Sequence, residues 1–329
     1  MINFEKIKEL ILTNDSFLLT THVNPDADAL GSELALVEIL KKLNKTFYIV
    51  NHSKTPYNLE FLDEKNVITQ YDAGVHNEII SQVDIIFFLD LNQLYRTVKM
   101  SKALENSNAT KVCIDHHTDA ENFTEYLFVD PNYSSTGEII FDLVDKTKLV
   151  EFDHNIALQL YAAIMTDTGS FKFERTTPAL HRKVAKLLEY DISPIKVYDQ
   201  IYGQYYFSRI KLLGLALDSI ELAGDGKIAH MTITRKNLKD TGAIEADVDG
   251  FVNYCLSIKG VKIGLLFFEL DDGVKVSFRS KGNIEVNKLA GMFNGGGHVN
   301  ASGTRLFDVS LAKLKDEILS AANDFVKNI

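Results

Sequence analysis

Cysteine is scarce in this chain. Cys113 and Cys255 are the only two in 329 residues, too few and too far apart for a disulfide framework or a cysteine zinc site. Cys113 lies in the apolar run KVCI, where it reads as a small buried hydrophobe. Long hydrophobic runs are missing as well: IIFFL at 85–89 is strand-sized, against the ~20 residues a membrane span needs. The first residues, MINFEKIKEL, lack the basic head, apolar stretch and small-residue cleavage site of a secretory signal. The expectation is a soluble, cytoplasmic protein with no membrane partner. Basic charge is in deficit, 35 Lys and Arg against 45 Asp and Glu, for a net charge of −10. The deficit is uneven: residues 1–222 hold 21 basic and 32 acidic side chains, residues 223–329 hold 14 and 13. Such a surface excludes a long nucleic-acid duplex gripped along its backbone. Short anionic ligands, held by a few placed charges or by metal ions, stay open.

At 46% hydrophobic and 24% charged, the chain can bury a full core, and its length suggests two domains. No fixed-period repeat or low-complexity tract interrupts it. Four β-rich runs punctuate the first part: FLLTTHV at 17–23, TFYIV at 46–50, DIIFFLD at 84–90 and KVCIDHH at 111–117. Helical patterns lie between them, such as Leu30, Leu34, Val37 and Leu40, spaced for one buried face. This alternation predicts an α/β fold built on a parallel sheet. Residues 155–165 and 178–190 read as helices, the second with Thr177 as N-cap and Pro178 at its first position. The expected boundaries are a first domain at 1–188, a helical connector at 189–222 and a smaller α/β domain at 223–329. In the last, VKIGLLFFEL and VKVSFRS flank an Asp-Asp-Gly turn suited to a hairpin.

Four acid and histidine clusters fall after predicted strands or at a helix end: His22, Asp26 and Asp28; Asp90; Asp115, His116 and His117; and Asp167. In an open parallel sheet the carboxyl ends of the strands share an edge, so clusters distant in sequence can meet there. Pro25 keeps the first loop extended until a helix begins near Ala29, and in an extended segment Asp26 and Asp28 point the same way. Taken singly, Asp26 and Asp28 read as turn and cap residues, Asp90 and Asp167 as turn residues, and His116 as a partly buried histidine. Their co-occurrence at strand ends argues for a joint role. Imidazole with carboxylate oxygen suits Mn²⁺, whereas zinc prefers more nitrogen or sulfur and magnesium alone would not favour so many histidines. In the second part, SFRSKG (277–282) and FNGGGHVNASG (293–303) place Arg279 near three successive glycines, a combination able to receive phosphate. A glycine run alone also reads as a mobile loop.

Together these residues resemble the DHH phosphoesterase superfamily, with Asp115-His116-His117 as its name-giving motif. The glycine-rich tail resembles the DHH-associated C-terminal domain. The layout is similar to the standalone members that degrade short oligoribonucleotides (nanoRNA) and dephosphorylate 3′-phosphoadenosine 5′-phosphate (pAp). That resemblance implies two Mn²⁺ ions, with Mg²⁺ or Co²⁺ as substitutes. One set of ligands would be His22, Asp26 and Asp90, the other Asp28, Asp90, His116 and Asp167, with Asp90 shared. It further implies that Asp115 braces the site, that His117 faces the scissile phosphate, and that Arg96, Arg279, Ser280, Gly296, Gly297 and His298 hold substrate. Many relatives carry serine two residues after the second-motif aspartate, where this chain has Asn92. Relatives of the same layout act on cyclic di-AMP or its linear product pApA, and the residues do not separate those substrates. The Arg-Lys-Lys run of the related pyrophosphatases is absent, and RecJ-type exonucleases usually carry extra nucleic-acid-binding domains. A catalytically inactive nucleotide sensor is the alternative outside enzymes, and the retained ligands weigh against it. A homodimer is left open.

Overall fold

A computed structural model describes residues 2–118 and 120–327. The chain divides into two units, Met1–Gln204 and Tyr205–Ile329. The first is built on six strands: β1 (Ser16–Thr20), β2 (Thr46–Asn51), β3 (Ile68–Gln70), β4 (Ile85–Leu89), β5 (Thr110–Asp115) and β6 (Tyr126–Val129). They lie in the order β3-β2-β1-β4-β5-β6, and every pairing is parallel. The four β-rich runs form the centre. The edge strands β3 and β6 are short and half-exposed, which is why no apolar run marks them.

Side chains alternate between the two faces. Phe17, Leu19, Ile85, Phe87, Leu89, Val112 and Ile114 join one core, while Leu18, Ile86, Phe88 and Cys113 join another on the opposite face. Both faces are therefore covered, as a parallel sheet requires. Helix Ala27–Lys42 departs from its expected single buried face: it is buried on all sides from Ala27 to Val37. The cause is its small residues. A Cβ on Gly31 would lie 2.6 Å from the Gln159 carbonyl oxygen, so glycine lets helix His154–Asp167 close against its outer side.

The second unit holds β7 (Glu221–Ala223), β8 (Ile228–Ile233), β9 (Ile263–Glu269), β10 (Gly273–Ser280), β11 (Gly296–His298) and β12 (Ala301–Phe307). Their order is β11-β12-β10-β9-β8-β7, antiparallel except for the β8–β9 pair. The hairpin at Asp271-Asp272-Gly273 forms as the turn chemistry predicts, closed by Leu270 N–H donating to the Gly273 carbonyl at 2.8 Å. One face packs on helix Leu311–Val326, the other on residues of Phe207–Asp218 and Val252–Ser257. Residues 189–222 are shared between the units. Val197 and Ile201 of helix Pro194–Tyr202 enter the first core, and Leu212 and Ala216 enter a core of the second.

Candidate metal centre

The sheet order reverses between β1 and β4, and a crevice at the carboxyl ends of strands at such a point is a common ligand site. Loops from these strands converge there. His22 follows β1 by two residues, Asp90 follows β4, and Asp115 closes β5 with His116 and His117 next. Asp26 is the N-cap of helix Ala27–Lys42, its Oδ1 accepting from the amides of Asp28 at 3.0 Å and Ala29 at 3.1 Å. Cap chemistry and membership of the cluster thus coincide in one residue. Asp28 lies in the first helical turn, not in an extended segment, so the two carboxylates serve different neighbours. Asp167 is the last residue of helix His154–Asp167.

Two groups of donor atoms, each within 4.8 Å of one another, are His22, Asp26 and Asp90, and Asp28, His116 and Asp167. A third joins Asp90, Asp115, His116 and His117. The His22 ring meets the Val23 carbonyl oxygen through Nδ1 at 2.9 Å, which leaves Nε2 toward Asp90 Oδ2 at 3.3 Å. This is the orientation of a metal-ligating histidine whose other nitrogen is held by a backbone oxygen. His116 Nε2 lies 3.6 Å from Asp28 Oδ2, 3.5 Å from Asp90 Oδ1 and 3.4 Å from Asp167 Oδ2. Its Nδ1 and the Asp115 Oδ2 are buried with no hydrogen-bond partner among the described residues. Asp115 Oδ1 and His117 Nδ1 are 2.7 Å apart.

The electrostatics are those of a site short of positive charge. No Lys or Arg pairs with Asp26, Asp28, Asp90 or Asp167 among the described residues, the ion-pair partners of the last three being His22, His116 and His117, although lysine–carboxylate pairs form elsewhere in the same unit, such as Lys183 with Glu138 and Asp142. Burial, then the charges of Asp90 and Asp167, pushes the Asp28 carboxyl well above the usual carboxylate range. Burial and the neighbouring Asp26 and Asp90, opposed by His116, lift Asp167 to about 7. Burial would raise Asp90 too, but hydrogen bonds from His116 and His22 hold it well below its usual range. Burial opposes charging of His116, yet Asp90, Asp167 and Asp28 raise it to about 10. Carboxylates that can ionise together only by recruiting protons onto histidine fit a divalent cation, whose charge replaces those protons. The donor set, carboxylate oxygen with imidazole, suits one as well.

The remaining candidates fall in two places. The Arg96 carbonyl accepts from Val23 N–H at 2.9 Å, which sets this residue beside His22; its side chain makes no ion pair among the described residues. In the second unit Arg279 on β10 and His298 on β11 are both in register with Ala301 of β12. The glycine run is therefore a short strand where it was expected to be a loop, and Gly296 and Gly297 are exposed on it. Ser280 is buried, its hydroxyl donating to the Ile284 carbonyl at 2.6 Å and accepting from Asn300 at 2.8 Å. Asn92, the departure from the family pattern, donates to the carbonyls of His117 at 3.2 Å and Thr118 at 3.0 Å, so it ties down the His117 loop.

Sequence reasoning missed Thr136 and Gly137, whose amides and hydroxyl reach Asp28 and Asp90. The run Ser135-Thr136-Gly137-Glu138 has the form of a helix start, and that was the available signal. It also missed Glu33, fully buried behind the cluster.

Comparison with known proteins agrees with this geometry. Residues 16–164 match the DHH family, N-terminal domain, and residues 225–328 match the DHHA1 domain. A bifunctional oligoribonuclease and PAP phosphatase, NrnA, of Thermus thermophilus is 31% identical over 93% of this chain and 89% of its own. The chain belongs to the DHH family. Another protein of the same name, from Bacillus subtilis, is 30% identical over 89% of this chain and 90% of its own. Among solved structures, an exopolyphosphatase-related protein from Bacteroides fragilis superposes with a TM-score of 0.92 at 30% identity, covering 98% of this chain and 97% of that one. Among the described residues of this DHH protein, no helix is long and apolar enough to cross a membrane.

Proposed function

We propose that this DHH protein is a divalent-metal phosphoesterase that hydrolyses short oligoribonucleotides to mononucleotides and converts pAp to AMP. The observation that carries the reading is the cluster of four aspartates without basic partners, interleaved with His22 and His116, at the switch point of the parallel sheet. The naming of its full-length relatives supports the substrate class.

In this reading His22, Asp26 and Asp90 hold one Mn²⁺, and Asp28, Asp90, His116 and Asp167 hold another, with Mg²⁺ or Co²⁺ as substitutes. Bound metal supplies Lewis acidity, which lowers the pKa of attacking water and offsets charge building on the phosphoryl oxygens. The chain's own residues do the rest. Asp115 fixes the His117 ring through Nδ1 and turns Nε2 toward the leaving oxygen, to which the ring in its imidazolium form would pass a proton. Asn92 holds the His117 and Thr118 carbonyls and keeps that loop in place. Arg96 takes a phosphate oxygen close to His22. In the second unit Arg279, His298 and the exposed backbone of Gly296 and Gly297 bind a non-scissile phosphate and its nucleoside. Ser280 supports that site through the 281–284 turn.

Chromatographic product analysis tests the reading, with pAp, a 5′-phosphorylated RNA dinucleotide, pApA, cyclic di-AMP and a long RNA, each with Mn²⁺ and with chelator. Mn²⁺-dependent mononucleotide release from pAp and the dinucleotide, with the long RNA intact, is the expected result. Preference for cyclic di-AMP would replace the substrate assignment. No turnover of any compound would overturn the enzyme reading and favour the nucleotide-sensor alternative.

A further inference from the structure

We propose that Thr136 is a positioning residue of the metal centre, joining Asp28 and Asp90 into one preset unit. The proposal rests on the metal-dependent reading above. Helix Thr136–Thr147 starts beside the cluster, and its first amides have no partner within the helix. Two of them go to a single carboxylate: Thr136 N–H donates to Asp28 Oδ2 at 2.8 Å and Gly137 N–H to Asp28 Oδ1 at 2.9 Å. This fork fixes the plane of the Asp28 carboxylate and places it at the positive end of a helix. Each oxygen has a second lone pair, and Oδ2 directs its own side toward His116 Nε2, 3.6 Å away.

The Thr136 hydroxyl adds the link between carboxylates. Oγ1 donates to Asp90 Oδ1 at 3.0 Å, while Asp90 Oδ2 faces His22. Asp90 stands at a φ of 58°, a left-handed conformation that persists only where its surroundings hold it. The hydroxyl is surplus to helix formation. Ser135 is already the N-cap, accepting from Glu138 N–H at 3.0 Å, and a first-turn residue serves with any side chain. Thr136 is fully buried, and its hydroxyl donates to the Asp90 carboxylate. Gly137 is constrained by the same arrangement, since a Cβ there would lie 2.5 Å from Ala163 Cβ on the helix that ends in Asp167. One helix start therefore sets two of the proposed ligands, Asp28 and Asp90.

The test compares wild type with Thr136→Val, which keeps the shape and removes the hydroxyl, and Thr136→Ser, which keeps the hydroxyl. Mn²⁺ affinity is read without substrate, from the free-ion electron paramagnetic resonance signal, and melting is read in chelator. Thr136→Val is expected to weaken Mn²⁺ binding about 10- to 100-fold and to lower kcat on pAp at saturating metal with little change in KM. Thr136→Ser is expected to restore both. If the valine variant does not fold, Thr136→Ala provides the same comparison. Wild-type Mn²⁺ affinity in a folded variant lacking the hydroxyl, or a serine variant as weak as the valine one, would overturn the proposal. A wild-type chain that binds no Mn²⁺ would overturn the metal reading itself and this proposal with it.

Discussion

The Asp115 carboxylate holds the His117 ring at 2.7 Å, Oδ1 to Nδ1, from a position with no solvent exposure at the end of β5. An acceptor that close keeps the proton on Nδ1 and turns Nε2 outward. In the proposed mechanism the first and third residues of the motif divide their work: Asp115 orients, and His117 exchanges protons.

Replacing Asp115 by Asn tests this division. The side chain keeps its size and loses its charge, so the ring loses its fixed tautomer. The expected outcome is a fall in kcat on pAp of about 10- to 100-fold with KM nearly unchanged. Steady-state kinetics at saturating Mn²⁺ measures both, and an equal loss confined to KM would contradict the assignment.

Glu33 links the site to stability. It is fully buried, with Oε2 accepting from Asn51 Nδ2 at 2.8 Å, and burial, opposed by Asn51 and reinforced by Asp63 and Asp90, lifts it from 4.5 to about 8. As pH rises from near 4.5 to near 8, the unfolded chain gives up this proton while the folded chain keeps it, so this group's stabilisation is lost across that window. The slope is at most about 1.4 kcal/mol per pH unit. Glu33→Gln mimics the protonated form and should grow more stable relative to wild type with rising pH. Urea unfolding in chelator at several pH values between 5 and 8 checks it; a constant difference between the two proteins would sink the idea.

Arg279 is the cation of the second unit proposed to hold a phosphate. It is half-buried, burial lowers its pKa, and its guanidinium donates to the Phe278 carbonyl at 3.0 Å. A guanidinium held this way, with no carboxylate in ion-pair range among those residues, is poised for an external anion. Arg279→Ala should raise KM for a dinucleotide about 10-fold or more with a small effect on kcat. Dominant loss of kcat would remove Arg279 from uniform substrate binding.

Much of this was legible in the sequence because strand ends carry their own signal. The apolar runs before His22, Asp90 and Asp115 mark β1, β4 and β5, and a parallel sheet gathers their ends. What escaped has physical causes. Thr136 reaches Asp28 through its amide and Asp90 through its hydroxyl, both far from it along the chain, and nothing local distinguishes it from an ordinary helix start. Glu33 sits among Leu30, Leu34 and Val37, where a single acid looks like a solvated position until the fold buries it against Asn51 at the end of β2. The edge strands are short, and β11 is made of residues whose freedom suggests a loop until pairing with β12 fixes them.

Asp90 is the residue on which the account depends, since it stands in the groups of both His22 and His116. The most direct test is a Mn²⁺ titration of the purified chain by isothermal calorimetry, in parallel with Asp90→Ala, with pAp hydrolysis measured on the same samples. The expected result is two Mn²⁺ per wild-type chain, at most one in the variant, and loss of hydrolysis by about a thousandfold or more. Two ions bound by Asp90→Ala, or hydrolysis by wild type that persists in chelator, would contradict it.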